Sequence, residues 1–299
     1  MGDEKMLASY GEVVGEEVIS QLNHLAEQLY GRSVVHVNST REGGGVAEIM
    51  NWLLPLMNDL GLKASWEVIE GNPGFFNVTK KFHNGLQGFR VEFGEDDVRV
   101  YEETIKENSK SLVDKLSSAD FVFIHDPQPA ALLDCCTKRK GKWIWRCHVD
   151  ASRPYRPVWK YLEKIVSGYD ASIFSMSQFA RSMPHPQYLI APSIDPLSEK
   201  NRPIAREEVN DIVREFQIDT DRPVLTQVSR FDRFKDPIGV IQAYKMVKGK
   251  KRPQLILTGG GAADDPEGSA VLEEVERAAG DDLDIQVLDL PADSHRVIN

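Results

Sequence analysis

The sequence predicts an α/β protein made of two units, each built around a parallel β-sheet. Short apolar runs that favour strands alternate with helical segments, which is the pattern of a parallel sheet covered by helices. A proline-rich stretch at residues 192–203 interrupts this alternation, which then resumes. The length of 299 residues also suits two domains. We therefore predict a first domain over residues 1–195 and a second over residues 196–299.

The first domain is predicted to begin with a helix over residues 16–30, because apolar side chains recur on one helical face and Gly31 follows as a stop. A strand at 33–38, a glycine loop and a helix over 46–60 come next; Pro55 is expected to kink that helix. Further strands are predicted at 64–70, 120–125, 143–147, 171–174 and 187–190.

The second domain contains only three predicted strands, at residues 223–228, 254–258 and 284–289. A self-sufficient doubly wound domain usually has five or six strands. The second sheet is therefore expected to be incomplete within this chain. A helix with an apolar stripe precedes these strands, formed by Val209, Ile212, Val213 and Phe216.

The charge balance limits the possible partners. The chain has 36 basic and 46 acidic residues, a net charge of −10 and a pI near 5.3. An acidic surface disfavours general binding to polyanions, so nucleic acid is excluded as an expected partner. Any anion must be recognised locally, and small molecules are the expected partners.

The cysteines and the amino terminus indicate a cytoplasmic protein. Cys135, Cys136 and Cys147 are odd in number and contain no C-x-x-C pair, so neither a metal site nor a redox function is predicted. No apolar signal segment follows Met1, and no apolar run approaches the ~18 residues that span a membrane. Neither secretion nor a membrane partner is expected, and the sequence does not specify an oligomeric state.

The clearest candidate site is the turn that follows the strand at 223–228. Arg230, Arg233 and Lys235 lie between that strand and a helix start marked by Asp236 and Pro237. Ligands of open parallel sheets bind at the carboxyl ends of strands, and Arg with Lys suits a diphosphate. The alternative is a solvated charged turn, with the aspartates as partners of the cations.

A second candidate is the loop Gly43, Gly44 and Gly45, which joins a strand to a helix. Its glycines would let backbone N–H groups approach an anion at the helix start, although a plain tight turn is the alternative. No Gly-Lys-Ser/Thr follows, and the third fingerprint position is Glu48, so neither a P-loop nor a dinucleotide site is predicted.

Two polar clusters follow neighbouring apolar strands. His125, Asp126 and Gln128 come after one strand, and His148 and Asp150 after the next. Such groups are suited to hydrogen-bonding sugar hydroxyls, and a His or Asp could also transfer a proton. The alternative is that each Asp only caps the helix that follows.

Other features divide between core and loop. Trp143 and Trp145 alternate on a strand and are predicted to be core residues. For Gly259, Gly260 and Gly261, a ligand-facing loop and a simple turn are left open.

Several longer strings resemble the retaining trehalose synthase family of GT-B glycosyltransferases, in which two Rossmann-like domains face a cleft. These strings are Val35-His36-Val37-Asn38-Ser39-Thr40, Gly43-Gly44-Gly45-Val46-Ala47-Glu48, Phe75-Phe76-Asn77-Val78-Thr79-Lys80, His125-Asp126-Pro127-Gln128-Pro129-Ala130-Ala131 and Pro192-Ser193-Ile194-Asp195-Pro196-Leu197-Ser198-Glu199-Lys200-Asn201.

The resemblance implies transfer of glucose from a nucleotide sugar, such as ADP- or UDP-glucose, to glucose, giving trehalose without a further cofactor. It implies that Arg230 and Lys235 neutralise the leaving diphosphate, with Gly43–Gly45 approaching it from the other domain. It also implies a sugar side, with His148 contacting the donor glucose, formed by His125, Asp126, Gln128, His148 and Asp150. Positioned cations then matter more than a general acid.

Family members carry a Glu-containing stretch later in the second domain, and residues 196–299 contain no counterpart. The resemblance therefore implies a carboxyl-terminally truncated member that is a poor catalyst by itself. The alternatives are a non-catalytic sugar- or nucleotide-binding remnant, or a GT-B-like sugar phosphorylase or epimerase.

Overall fold

The computed structural model describes residues 6–249, 252–260, 265–291 and 293–299. The chain divides into two compact units, the first ending at Ile194 and the second beginning at Asp195. The short segment Glu42–Gly44 is grouped with the second unit. The predicted domain boundary lies one residue later, after Asp195.

The first unit contains a six-stranded, fully parallel sheet, in the order β2-β1-β3-β4-β5-β6. The predicted strands are confirmed to within two residues at each end, because short runs of β-branched and aromatic residues mark them clearly. The strands are β1 (Ser33–Asn38), β2 (Lys63–Val68), β3 (Phe121–His125), β4 (Lys142–Cys147), β5 (Ala171–Phe174) and β6 (Gln187–Leu189).

The helices of this unit include the predicted leading helix, but the structure adds another helix before it. The predicted helix ends at Glu27, and its stripe of Val18, Leu22, Leu25 and Leu29 remains exposed. Pro55 lies inside a helix that continues through it. The helices are α1 (Met6–Val14), α2 (Glu16–Glu27), α3 (Gly45–Asp59), α4 (Pro73–Leu86), α5 (Glu95–Ser118), α6 (Leu132–Cys135) and α7 (Arg156–Val166).

Aromatic side chains dominate the core of the first unit. Trp143 and Trp145 are fully buried, which confirms their predicted core position. Phe82 packs edge-on against Tyr101, with ring centroids 4.9 Å apart, and Phe75 stacks on Tyr101. This cluster fixes α4 and α5 against the sheet, so the loops at the strand ends have a rigid support.

The second unit contains a three-stranded parallel sheet, in the order β7-β8-β9. This small sheet confirms the α/β class and the expected low strand number. The predicted helix with the Val209 stripe is present, but none of its residues is buried. The elements are α8 (Arg206–Glu215), β7 (Val224–Val228), α9 (Pro237–Val247), β8 (Gln254–Gly259), α10 (Gly268–Ala279), β9 (Ile285–Asp289) and α11 (His295–Ile298).

Candidate active site

The strand order of the first sheet reverses between β1 and β3. β1 pairs with β2 on one side and with β3 on the other. In open α/β sheets, ligands bind outside the carboxyl ends of the strands at such a switch point. His125 is the last residue of β3, and His148 follows the last residue of β4. The two predicted polar clusters therefore lie at the edge where the fold places a ligand.

Three imidazoles form a continuous row across β1, β3 and the loop after β4. Nε2 of His125 lies 3.0 Å from Nδ1 of His36, and Nδ1 of His125 lies 2.9 Å from Nε2 of His148. The ring planes are tilted by 28° between His36 and His125 and by 17° between His125 and His148, with centroids 5.3 Å apart in both pairs. His36 also stacks on Phe123 at 4.8 Å. We call His36, His125 and His148 the histidine row.

Burial keeps the histidine row uncharged. Desolvation, with a smaller effect of the Arg146 charge, lowers the pKa of His36 from 6.5 to about 4 and that of His148 to about 3. Desolvation also lowers the pKa of His125 well below its usual value, and its two histidine neighbours add to the effect. Near neutral pH these rings are neutral hydrogen-bonding groups, which suits sugar hydroxyls rather than a diphosphate.

Asp126 occupies a left-handed backbone conformation, with φ 61°. Its Oδ1 accepts a hydrogen bond of 2.7 Å from the backbone N–H of His148, and its carbonyl accepts one of 3.0 Å from Nε1 of Trp145. Asp126 therefore connects the loop that follows β3 with two neighbours, strand β4 and the loop that follows β4. It does not cap a helix. Strained backbone held in place by its surroundings is typical of functional sites.

Gln128 and Asp150 differ in how far their polar atoms are engaged. Oε1 of Gln128 is buried and has no hydrogen-bond partner in the part of the chain that the structure describes. Oδ1 of Asp150 accepts a 2.8 Å hydrogen bond from the N–H of Ser152, which forms an Asx turn. Asp150 therefore does not cap the helix that follows, since α7 begins at Arg156 and its N-cap residue is Tyr155.

The glycine loop requires glycine at two of its three positions. Gly43 and Gly44 have φ 75° and 82°, and Gly45 is the first residue of α3. A Cβ on Gly44 or Gly45 would meet nothing within 4 Å, so space remains beside the loop. The backbone N–H groups at the start of α3 are suited to an anion.

The turn of the second unit that carries the three cations follows β7, as predicted, and leads into α9. Asp236 caps α9, accepting a 3.0 Å hydrogen bond from the N–H of Gly239, and Pro237 is the first helical residue. This confirms the predicted helix start.

The three cations of this turn have different partners. Arg233 forms a two-pronged ion pair with Glu274, at 2.9 and 2.8 Å. Arg230 has looser contacts, 3.4 Å to Asp265 and 3.8 Å to Asp232. Lys235 is exposed, and its ammonium has no ion pair with a described residue. An anionic ligand would therefore compete least with existing pairs at Arg230 and Lys235.

The glycine that ends β8 has a packing role. A Cβ on Gly259 would overlap the carbonyl oxygen of Ser229, so glycine is required there by the close approach of the β7 loop. This supports the structural alternative for Gly259, while Gly261 lies outside the described residues.

Sequence reasoning missed two residues that build this site. The first is His36, which the sequence offers only as part of the Val35–Thr40 motif, although a histidine inside an apolar parallel strand must find a partner when buried. The second is Tyr101, whose hydroxyl donates to the Pro127 carbonyl at 3.0 Å and accepts from the Ala131 N–H at 3.1 Å. No sequence signal for the Tyr101 contacts exists, since 26 residues separate the tyrosine from Pro127.

The described residues contain neither a metal site nor a membrane-spanning helix. No group of three or more His, Cys, Asp or Glu side chains in this part of the chain is arranged to hold a metal ion. No helix within the described ranges is long and apolar enough to cross a membrane.

Comparisons with known proteins show the family of this chain. The family described as "Trehalose synthase, N-terminal domain" matches residues 36–181. The chain is 45% identical to a trehalose synthase of Pyrococcus horikoshii over 289 residues, covering 95% of this chain and 69% of that protein. It is 43% identical to the trehalose synthase of Rubrobacter xylanophilus over 287 residues, covering 94% and 69%.

The fold was also compared with solved structures. A UDP-forming α,α-trehalose-phosphate synthase from Burkholderia xenovorans superposes with a TM-score of 0.64 at 14% identity, covering 89% of this chain and 75% of that chain. At this identity the likeness concerns the fold alone. The fold class is GT-B. By sequence, the chain is a trehalose-related glycosyltransferase. More narrowly, it belongs to the trehalose synthase family.

Proposed function

We propose that this protein transfers glucose from a nucleoside diphosphate glucose, such as ADP- or UDP-glucose, to free glucose. The products are trehalose and the nucleoside diphosphate, and the anomeric configuration of the donor is kept. The observation that carries the proposal is the pairing of neutral His125 and His148 with Asp126 at the switch point of the first sheet. Neutral donors and acceptors beside one carboxylate suit a polyhydroxylated ligand.

On the sugar side, His148 contacts the donor glucose, and Asp126 accepts from a sugar hydroxyl. His125 holds His148, and the unpartnered Oε1 of Gln128 is a further acceptor near the same loop. Asp150 contributes through the turn that it forms with Ser152. These assignments are supported by the position of the residues at the strand ends.

On the phosphate side, Arg230 and Lys235 neutralise the diphosphate as it leaves. This assignment is supported by the loose contacts of Arg230 and the absence of an ion pair at Lys235 within the described residues. Gly43, Gly44 and Gly45 offer backbone N–H groups to an anion at the start of α3. Cations placed where negative charge develops lower the barrier of such a transfer.

The reaction breaks the bond between the anomeric carbon and the diphosphate oxygen and forms one to a hydroxyl oxygen of the acceptor glucose. The acceptor attacks from the face that the diphosphate leaves, which keeps the configuration, and the hydroxyl proton is released. No covalent intermediate with the protein is required. The catalytic task is therefore to stabilise the departing diphosphate and an oxocarbenium-like centre.

The test is a single-turnover assay with protein in molar excess over UDP- or ADP-glucose, so that one slow turnover is visible. We expect the diphosphate and trehalose in equal amounts, and neither without glucose. Binding of the donor without any turnover would instead support a sugar- or nucleotide-binding protein. A requirement for inorganic phosphate would support a phosphorylase, and a product formed without an acceptor would support an epimerase.

A further inference from the structure

The histidine row includes one ring that the proposed reaction does not use. His36 lies on β1, is 3% exposed, and reaches the sugar side only through His125. A buried imidazole in a strand that packs on both faces is costly unless its nitrogens are paired. His36 can therefore affect the sugar side only through its neighbour His125.

The hydrogens of the histidine row can be arranged in only two ways. A neutral imidazole has one N–H donor and one bare nitrogen acceptor. His36 and His125 share one contact through Nδ1 and Nε2, and His125 and His148 share another through the same atom types. Either every ring carries its hydrogen on Nδ1, or every ring carries it on Nε2, because a mixed row would place two donors or two acceptors face to face.

The buried end of the row distinguishes these arrangements. Nε2 of His36 is buried and has no hydrogen-bond partner among the described residues. If the hydrogens were on Nε2, the buried N–H of His36 would have no acceptor. If they were on Nδ1, Nε2 of His36 would be a bare nitrogen without a donor. Among buried backbone groups, an orphaned N–H donor is rarer than an orphaned acceptor; by the same preference, the Nδ1–H arrangement is favoured here.

We propose that His36 is a positioning residue which, through His125, holds His148 in its Nδ1–H form and so presents an N–H donor to an oxygen of the bound sugar. The stacking of His36 on Phe123, with planes 11° apart, fixes the ring at which the row begins. The sugar contact in this proposal rests on the proposed function; the control of the tautomer does not.

The same geometry argues against a proton relay. A relay needs an exit for the proton at its far end, whereas Nε2 of His36 has no described group to receive one. The row therefore orients His148 and does not carry protons through the sheet.

The first measurement is a ¹⁵N–¹H correlation spectrum of the histidine side chains at neutral pH, which reports the protonated nitrogen of each ring. It requires no substrate. We expect His148 and His125 as Nδ1–H tautomers in the unaltered protein. His148 as the Nε2–H tautomer would overturn the proposal, whatever the reaction catalysed.

The second measurement compares two variants of His36. His36→Met replaces the ring with a thioether that can accept a hydrogen bond but cannot donate one, so a hydrogen on Nε2 of His125 gains a partner and we expect His148 to shift toward the Nε2–H tautomer. His36→Asn places an amide donor near the position of Nδ1 and should retain the Nδ1–H form. A His148 tautomer unchanged in His36→Met would overturn the proposal. His24→Met, at an exposed histidine of α2, is the matched control and should change nothing.

Calorimetry separates this inference from the proposed function. In His36→Met, UDP-glucose affinity should fall about two- to tenfold, the effect of one neutral hydrogen bond, while UDP affinity is unchanged. If the tautomer changes as expected but UDP-glucose affinity does not, the positioning by His36 stands and the sugar contact of His148 is wrong. An equal loss for UDP and UDP-glucose would overturn the sugar-directed part of the inference.

Discussion

The backbone N–H of His148 donates to the carboxylate of Asp126, with the nitrogen 2.7 Å from Oδ1. The N–H of Asp126 in turn donates to the carbonyl of Arg146 at 2.9 Å. Two loops that are distant in sequence are thus fastened by one residue. Because that residue has φ 61°, its identity matters both for the backbone and for the hydrogen bond.

Substitutions at Asp126 can separate the contribution of its left-handed backbone from that of its hydrogen bond to the N–H of His148. Asp126→Ala should lower the free energy of unfolding by about 2–4 kcal/mol, since it adds left-handed strain of about 1 kcal/mol and leaves a backbone donor unpaired. Asp126→Gly removes only the acceptor and should cost less. Asp126→Asn keeps an acceptor and tolerates the conformation, so we expect a loss within about 1 kcal/mol. Urea unfolding followed by tryptophan fluorescence measures all three, and equal losses for Ala and Asn would contradict this account.

The histidine row should make stability depend on pH. His36 and His148 have folded-state pKa values of about 4 and 3, below the ordinary 6.5, so the unfolded chain takes up protons first as pH falls. Stability should be complete above about pH 6.5 and fall as pH decreases, by up to about 1.4 kcal/mol per pH unit for each histidine.

Urea unfolding at about pH 7 and about pH 5 measures this dependence. His36→Asn removes one titrating group and should make the pH dependence shallower. Asn23→Ala, at an exposed residue of α2 with no titrating side chain, should leave it unchanged. If His36→Asn had the same slope as the unaltered protein, His36 would not contribute as described.

The cations of the β7–α9 turn should contribute unequally to donor binding. Arg230→Ala combined with Lys235→Ala should weaken UDP-glucose binding about a hundredfold or more, because two charge-assisted hydrogen bonds are lost. Arg233→Ala is the matched control: its guanidinium is already paired with Glu274, so affinity should stay within about twofold. Calorimetry with UDP and UDP-glucose measures both, and an unchanged affinity in the double variant would refute the phosphate assignment.

Tyr101 should stabilise the loop that carries Asp126. In Tyr101→Phe, the buried N–H of Ala131 loses its acceptor, whereas the Pro127 carbonyl retains the N–H of Ala130 at 3.2 Å. We expect a loss of about 1–3 kcal/mol in the free energy of unfolding. Tyr30→Phe, at a tyrosine that is 78% exposed, should be neutral within about 0.5 kcal/mol. Equal effects of the two substitutions would contradict the supporting role of Tyr101.

Local patterns were sufficient for the strands and for the helix start at Asp236. The apolar run that ends at His125 and the Asp236-Pro237 pair each specify their structure within a few residues. The same reasoning placed the polar clusters at the strand ends, since parallel strands bring their carboxyl ends to one edge.

Contacts that depend on tertiary packing could not be predicted in this way. The pairing of His36 with His125 joins residues 89 positions apart, and it depends on β1 and β3 being neighbours in the sheet. The stripe on α2 predicted an amphipathic helix correctly, yet periodicity does not say whether Leu25 is covered; it is 63% exposed. The different partners of Arg230 and Arg233 likewise depend on side chains more than 30 residues away.

The position of the first unit's strands along the chain also affects how a newly made chain folds. The ribosome has completed β1, β3 and β4 once it has added Cys147, and it completes β6 with Leu189. β7 begins only at Val224. Domains generally fold as units, with the amino-terminal one first during synthesis. The histidine row can therefore form on the ribosome before β7 and the β7–α9 turn have been synthesised.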